Sequence, residues 1–455
     1  MAKAVSLPQE KKLSTKNKKS ARAIALATLI RVLQDGSYSN ISLNNSLQGA
    51  HLSQADKNLA TKLVYGTIQY RIFLDYQLHD LIKTKLSEKY LKPLLLMSAY
   101  QIFFLDKIPT RAVLDEANKL AKEFGKQHSG GFRVANGILR ALTRRGKILP
   151  PEKDRFKYLS VKESIPIWLV KYFVTNWGFK RTASILQSIN EPAKNSVRLS
   201  SLTNQRQTLV ALTKLGYEPQ ASQLAANNYV LAHGGIVETT LFKNGQLTVQ
   251  DEAASLVVDA FDFNGDEEVL DACSAPGGKT VQIAEHLTTG QVTALDIHEK
   301  KLRLVRQNAT RMHVADQVKT KAIDARKADE YFSGQQFARI LVDAPCSGLG
   351  LLRRKPEIRY TKKKQDLLNL QKIQLSILDH VSHLLEENGE LVYSTCTISL
   401  EEDEDVVKQF LASHPNFELV PFELSKIGTK TGMLKILPDS YGSDGFFIAK
   451  FKLRG

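Results

Sequence analysis

Three cysteines occur in 455 residues, and each lies among glycine, acidic or hydroxyl residues. Cys273 stands in Asp271-Ala-Cys-Ser-Ala-Pro-Gly-Gly-Lys-Thr280, Cys346 in Asp343-Ala-Pro-Cys-Ser-Gly-Leu-Gly350, and Cys396 in Tyr393-Ser-Thr-Cys-Thr397. Cysteine attacks as its thiolate, so a reactive one needs a lowered pKa and partial exposure. Taken singly, each would more often be a buried structural thiol. Taken as a pair, Cys346 in Pro-Cys-Ser and Cys396 in Thr-Cys-Thr point to thiol catalysis. A thiol hydrolase would need a histidine partner. His298, His313, His380 and His383 are near in sequence, yet none falls at the end of an expected strand. No CxxC or CxxH spacing exists, so no metal site is expected. Three thiols in so long a chain form no disulfide framework, and a reducing, cytoplasmic compartment is the expectation.

The run Val269–Thr280 reads as a strand, a small-residue turn and a helix start. Gly277 and Gly278 carry no Cβ and let backbone come close to a ligand. The GxxxxGK[ST] spacing of a phosphate loop is missing, and so is GxGxxG. Eighteen residues beyond Gly278, Asp296 ends the next expected strand, where an acid accepts from both hydroxyls of a ribose. Asp324, after a third strand, is placed to meet an adenine edge. A nucleoside without phosphates points to S-adenosylmethionine. One reaction joins a thiolate, a carboxylic acid and a methyl sulfonium. Addition of the thiolate to C6 of cytosine makes an enamine whose C5 attacks a methyl group. An acid at N3 relieves the charge, a base removes the C5 proton, and the thiol leaves. These residues leave open whether Cys346 or Cys396 attacks.

Elements must hold these groups together. From about residue 246 the pattern alternates strand and helix, with strands expected at Glu268–Asp271, Val292–Asp296, Lys319–Ile323, Arg339–Asp343, Glu390–Ser394 and Gly445–Lys452. That rhythm is a doubly wound α/β sheet, whose ligands sit beyond the carboxyl ends of the strands. Asp271, Asp296, Asp343 and Ser394 fall at four of those ends. The acidic run Glu401–Asp405 reads as a helix start capped by Ser399, with Glu402 at the third position and acids complementing the helix dipole.

The rest of the chain differs in kind. Residues 1–150 hold 25 Lys and Arg against 10 Asp and Glu, whereas residues 151–455 hold 38 against 37. A basic module on a near-neutral body suggests an arm that holds a polyanion. Residues 1–20 are lysine-rich without apolar period and read as a disordered tail. From Ala21 the period is helical: Leu26, Leu29, Ile30 and Leu33 share a face, and Ser53-Gln-Ala-Asp56 caps a helix carrying Leu59, Leu63, Val64 and Ile68. Further helical periods run through 72–82, 90–105, 112–124 and 132–143. Pro150-Pro151 marks a boundary. Residues 151–245 mix helical stretches (166–175, 180–188) with short strands at Ser196–Leu199 and Tyr229–Ala232. No apolar run is long enough for a membrane span. The expected order is a tail at 1–20, an all-α domain at 21–150, a small α/β linker domain at 151–245 and an α/β Rossmann-like domain at 246–455. The basic run from Arg353 to Lys364 is a candidate phosphate clamp, with Tyr360 for base stacking; the alternative is a solvated lysine-rich loop.

The motifs DACSAPGGKT, DAPCSGLG, YSTCT and DGFFIAKF, with Pro166-Ile-Trp-Leu-Val170 and Gln250-Asp-Glu-Ala253, together resemble the RNA cytosine-5 methyltransferases of the NOL1/NOP2/Sun type. The likeness covers residues 20–455, and the helical N-terminal domain is similar to the RNA-binding fold of NusB. The resemblance implies that Cys273, Ser274, Ala275, Pro276, Gly277, Gly278 and Lys279 line the S-adenosylmethionine site. It further implies that Asp296 holds the ribose, Asp324 lies by the adenine, and Asp343 meets the cofactor and N3 of the base. It makes Cys396 the nucleophile and Cys346 the thiol that assists product release. Ser274 replaces the commoner alanine, and Thr397 the commoner serine, which keeps a hydroxyl. The implied partner is 16S rRNA, free or in an early small-subunit particle, met by a monomer. The rival readings are a tRNA or other rRNA site, an inactive RNA-binding antitermination or assembly factor, and a thiol hydrolase.

Overall fold

The computed structural model describes residues 20–37, 39–126 and 130–454; the lysine-rich segment read as a tail falls almost wholly outside them. The chain divides into two compact units, residues 1–186 and 187–455. The stretch read as a linker domain is shared between them: its helices fall largely in the first and its strands in the second.

The first unit is helical throughout, with helices Ala21–Asp35, Ser39–Leu47, Gln54–Gln69, Arg71–His79, Leu91–Phe104, Thr110–Phe124, Gly131–Arg145 and Arg155–Glu163. Leu91–Phe104 is apolar on all sides, and Leu94, Leu95, Leu96 and Met97 are buried; such a helix must be surrounded by others. It packs against Gln54–Gln69, where a Cβ on Gly66 would fall 2.0 Å from the Tyr100 ring. The Ser53 cap is present, its Oγ accepting from Asp56 N. Leu26 and Leu29 are buried, with Ile30 and Leu33 half-buried beside them. The two helical stretches 166–175 and 180–188 form Ile167–Ser188, interrupted at Gly178 (φ 72°, ψ 168°).

The second unit opens on a four-stranded antiparallel sheet of β1 (Asn195–Leu199), β2 (Gln220–Ala221), β3 (Asn228–Leu231) and β4 (Leu247–Val249), in the order β2-β3-β1-β4. Arg198 of β1 reaches Glu285 at 2.5 Å, both side chains nearly fully buried, and so ties this sheet to the helix Gly278–Ala284. The main sheet holds β5 (Glu268–Asp271), β6 (Gln291–Leu295), β7 (Val318–Lys321), β8 (Phe337–Asp343), β9 (Leu385–Thr395) and β10 (Phe417–Leu419). After a two-stranded ribbon of β11 (Phe422–Glu423) and β12 (Gly428–Thr429), β13 (Met433–Ile436) and β14 (Phe446–Leu453) complete it. The order is β10-β14-β9-β8-β5-β6-β7, with β13 also on β14.

Strands β5 to β9 run parallel, and β14 pairs antiparallel with β9. Parallel strands covered on both faces read as continuous apolar runs, as Ile340-Leu341-Val342 do at 0 % exposure. The order reverses beside β5, whose neighbours are β6 and β8. The crevice of a doubly wound sheet opens there, outside the carboxyl ends. The helix expected from Ser399 begins instead at Glu404. Glu402 and Asp403 lie in the preceding turn and are fully buried, because hydroxyl, amide and lysine groups inside the domain take up their carboxylates. Among the described residues, no helix is long and apolar enough to cross a membrane.

Candidate active site

Asp271 closes β5 with its side chain buried. Thr280, one turn into the following helix, donates to its Oδ2 at 2.6 Å, and Oδ1 has no protein partner. Burial pushes this carboxyl up to about 7; Asp343 adds to the rise, and Thr280 and Lys279 oppose it. Between them the chain turns through Cys273–Gly277. Ser274 donates twice to the Leu295 carbonyl at the end of β6, from N and from Oγ, both at 2.8 Å. The uncommon serine thus fastens the turn to β6. Gly277 adopts φ 104° and approaches the helix Glu299–Arg311, where a Cβ would lie 2.9 Å from Val305 Cα; a Cβ on Gly278 would meet nothing within 4 Å. The turn therefore borders open space at Gly278.

Asp296 follows β6, its Oδ1 accepting from His298 N at 2.8 Å and its Oδ2 3.7 Å from Lys301 Nζ. Asp324 caps the turn Ala325–Lys327 and pairs with Arg326 at 2.6 Å. The Arg326 hydrogen bond holds its carboxyl below the usual carboxylate range.

At the ends of β8 and β9 the groups converge. Register places Asp343 opposite Ser394, whose hydroxyl donates to Asp343 Oδ1 at 2.9 Å. Lys279 Nζ lies 2.7 Å from Asp343 Oδ2 and 5.0 Å from the Phe446 ring centre. Burial opposes the charge on Lys279, but Asp343, by charge and hydrogen bond, outweighs it and holds the amine above the ordinary lysine range. Lys279, read from sequence as part of the cofactor turn, is therefore also the ion-pair partner of Asp343.

Cys346 Sγ and Cys396 Sγ are 3.1 Å apart. The hydrogen bond to Cys396 and then burial push the Cys346 thiol well up, against the expectation of a lowered pKa. Cys273 is likewise pushed up, first by burial and then by the acids around it. All three are free thiols. Three of the four histidines weighed as partners are engaged otherwise: His380 and His383 with Asp329, and His313 with the Asn244 carbonyl.

The basic run is a correction. Arg353 donates to the carbonyls of Ser188, Pro438, Gly442 and Ser443; Arg354 pairs with Asp251 and Asp444 at 2.8 Å; Arg359 is fully buried and donates to the Ile189 carbonyl. These guanidiniums cross-link the domain because orphan carbonyls converge there, and only lysines such as Lys355, Lys363 and Lys364 remain exposed. Sequence reasoning also missed Glu402 and Gln374, which bind Ser347 and Pro345 on either side of Cys346. The signal was an acidic run longer than one helix cap can use.

A parallel sheet with a small-residue turn after its first strand, an acid after the next, and an open edge at the order reversal defines the Rossmann-like methyltransferases. The comparisons agree. A profile described as 16S rRNA methyltransferase RsmB/F matches residues 258–452, and the NusB family profile matches residues 19–144. The chain is 40% identical over 449 residues to the probable ribosomal RNA small subunit methyltransferase B of Bacillus subtilis (strain 168), covering 96% of this chain and 100% of the relative. It is 30% identical to the ribosomal RNA small subunit methyltransferase B of Shewanella oneidensis, over 94% of this chain and 98% of that one. In fold it matches the crystal structure of PH0851 with a TM-score of 0.80 at 23% identity, covering 97% and 100% of the two chains. It matches NSun6 from Pyrococcus horikoshii, solved with SFG, with a TM-score of 0.59 at 21% identity, covering 64% and 99%. The chain belongs to the ribosomal RNA small subunit methyltransferase B family. Its reaction class is S-adenosylmethionine-dependent methylation of ribosomal RNA.

Proposed function

We propose that this protein methylates C5 of a cytosine in 16S rRNA through a covalent bond between Cys396 and C6. The observation that carries the reading is the pair of thiols 3.1 Å apart at the open sheet edge, beside the Asp343–Lys279 pair. By the family resemblance Cys396 is the sulfur that adds to C6, and Cys346 lies within hydrogen-bond reach of it at 3.1 Å. Asp343 is fixed by Ser394 and Lys279, and a proton from the Lys279 ammonium passes through it to N3 as the ring loses aromaticity. S-adenosylmethionine, bound by the Cys273–Lys279 turn, Asp296 and Asp324, supplies a methyl group on a sulfonium. C5 takes that methyl, its proton passes to a base, and the C6–S electrons return to Cys396. Cys346 assists that departure by hydrogen bonding to the leaving sulfur. N3 then returns its proton. No metal takes part in this scheme.

The domains divide the work. The helical N-terminal domain, 21–150, holds RNA; Arg133, Arg140 and Arg144 are exposed at intervals of seven and four along the helix Gly131–Arg145, which puts them on one face. The small α/β segment, 151–245, links it to the methyltransferase domain, 246–455. The target cytosine must be unstacked, which costs least in single strands and loops of free rRNA or an early particle. The protein acts as a cytoplasmic monomer.

Bisulfite mapping of rRNA with and without the gene tests the target; unchanged cytosine methylation refutes it. With purified RNA, Cys396→Ala loses both turnover and the covalent adduct, whereas Cys346→Ala accumulates a protein–RNA adduct. The reverse outcome exchanges the two roles.

A further inference from the structure

Glu402 is fully buried and receives four donors on two oxygens. Ser347 N lies 2.7 Å and Gln374 Nε2 3.1 Å from Oε2, while Ser347 Oγ lies 2.5 Å and Ser399 Oγ 2.7 Å from Oε1. Four hydrogen bonds on two oxygens take up the bonding positions of the carboxyl group. No lysine or arginine pairs with it among the described residues, so the carboxylate is held by neutral donors alone.

Those donors have a common feature. Ser347 follows Cys346, and Gln374 Nε2 also binds the carbonyl of Pro345 at 3.0 Å, so Cys346 is fixed on both sides. Ser347 Oγ contacts Thr397 Oγ1 at 2.9 Å, and Thr397 follows Cys396. Ser399, two residues further on, completes the clasp. The Glu402 carbonyl in turn accepts from Tyr393 Oη at 2.6 Å, anchoring the carboxylate to β9. A single side chain therefore ties the loop after β8 to the loop after β9, each loop carrying one thiol.

We propose that Glu402 is a positioning residue that sets the distance between Cys346 and Cys396. It touches neither thiol and acts through Ser347, Gln374, Thr397 and Ser399. The proposal rests on the roles given to the two cysteines above. Its physical content is independent of them: without Glu402, four buried donors lose their acceptor, and the two loops lose their shared anchor.

The test uses the full-length protein and three readouts. The first is the rate at which the azo oxidant diamide takes one hydrogen from each thiol to form the Cys346–Cys396 disulfide, divided by the iodoacetamide rate of each thiol. That ratio reports proximity and not reactivity. The second is the affinity for S-adenosylmethionine, whose proposed site has no bond to Glu402. The third is single-turnover methylation. Glu402→Ala should lower the disulfide ratio and the methylation rate, the latter by about 100-fold for a displacement near 1 Å, with cofactor affinity unchanged. Glu402→Gln, which keeps the shape but points an amide donor at other donors, should fall between, and it serves as the test if the alanine variant does not fold. A wild-type disulfide ratio in a folded variant overturns the proposal. So does an equal loss in all three readouts, which a general collapse of the domain would give. If Cys396→Ala retains methylation, the reading of the chemistry fails, while the disulfide ratio still decides the role of Glu402.

Discussion

Gly350 has no room for a side chain, and the structure says what its replacement would do. A Cβ there would lie 2.0 Å from the Gly445 carbonyl oxygen and 2.8 Å from the Cys396 carbonyl oxygen. Both obstacles are backbone, so no rotamer change relieves them; the chain must move by about 1 Å to restore ordinary contact. Two hydrogen bonds pass through this residue, from Gly350 N to the Cys396 carbonyl at 3.1 Å and from Gly445 N to the Gly350 carbonyl at 2.9 Å. Overpacking typically costs about 1–3 kcal/mol and each weakened bond up to ~1 kcal/mol, so Gly350→Ala should destabilise the second unit by roughly 1–5 kcal/mol. A shift of the Cys396 backbone by about 1 Å should lower turnover on the order of 100-fold where the protein stays folded. Urea unfolding followed by the fluorescence of a probe in the catalytic unit measures the first, and single-turnover methylation well below the unfolding midpoint measures the second. Gly137→Ala is the control. Its Cβ would meet nothing within 4 Å, and it lies inside the helix Gly131–Arg145, so it should gain about 0.5–1 kcal/mol. Wild-type stability and turnover in Gly350→Ala would refute the claim that this backbone contact holds the Cys396 loop.

Asp271 gives a pH dependence. Its folded pKa, raised to about 7, exceeds that of the unfolded chain, so the folded state binds the extra proton and loses stability as pH rises from about 4 to about 7. Asp271→Asn keeps an acceptor for Thr280 and has no such proton to lose; its unfolding midpoint should therefore fall less than that of the wild type across that window, measured by thermal denaturation at a series of pH values. A steeper fall in the variant would contradict the assignment. Charge also sets RNA affinity: replacing Arg133, Arg140 and Arg144 by glutamine should reduce the slope of log K against log salt by roughly 2 if all three meet single-stranded phosphates. Filter binding at several salt concentrations checks this, and an unchanged slope would remove that face from the interface.

What the sequence made legible follows physical locality. Strands β5, β6 and β8 are short apolar runs ending in an acid, and a turn of small residues can follow only a strand end; all three were found within two residues. Ser53 announced its helix because capping is settled by four consecutive residues. The misread groups are those whose partners lie far along the chain. Arg353, Arg354 and Arg359 look like solvent charges until the carbonyls of Ser188, Ile189 and Pro438 and the acids Asp251 and Asp444 are brought to them. Glu402 looks like a helix-dipole acid for the same reason: three of its four bonds come from Ser347 and Gln374, nearly thirty or more positions away. Charge type is local, but burial is not.

The meeting of the two thiols shows how little sequence distance matters once register is fixed. Cys346 and Cys396 are 50 residues apart. Strands β8 and β9 are parallel neighbours with Asp343 opposite Ser394. The chain passes three residues beyond Asp343 to reach Cys346 and two beyond Ser394 to reach Cys396, and the two sulfurs meet at 3.1 Å. A slip of one residue in that pairing would turn every β9 side chain to the other face and part Ser394 from Asp343. Every residue of β9 from Gly389 to Thr395 is buried, so a slip would press Leu391, Val392 and Tyr393 into space packed for their neighbours. Sheet register thus brings the thiols to one place, where the two loops differ in their surroundings. Gln374 and Glu402 bind the residues on either side of Cys346, whereas Cys396 follows Ser394, which donates to Asp343, the ion-pair partner of Lys279.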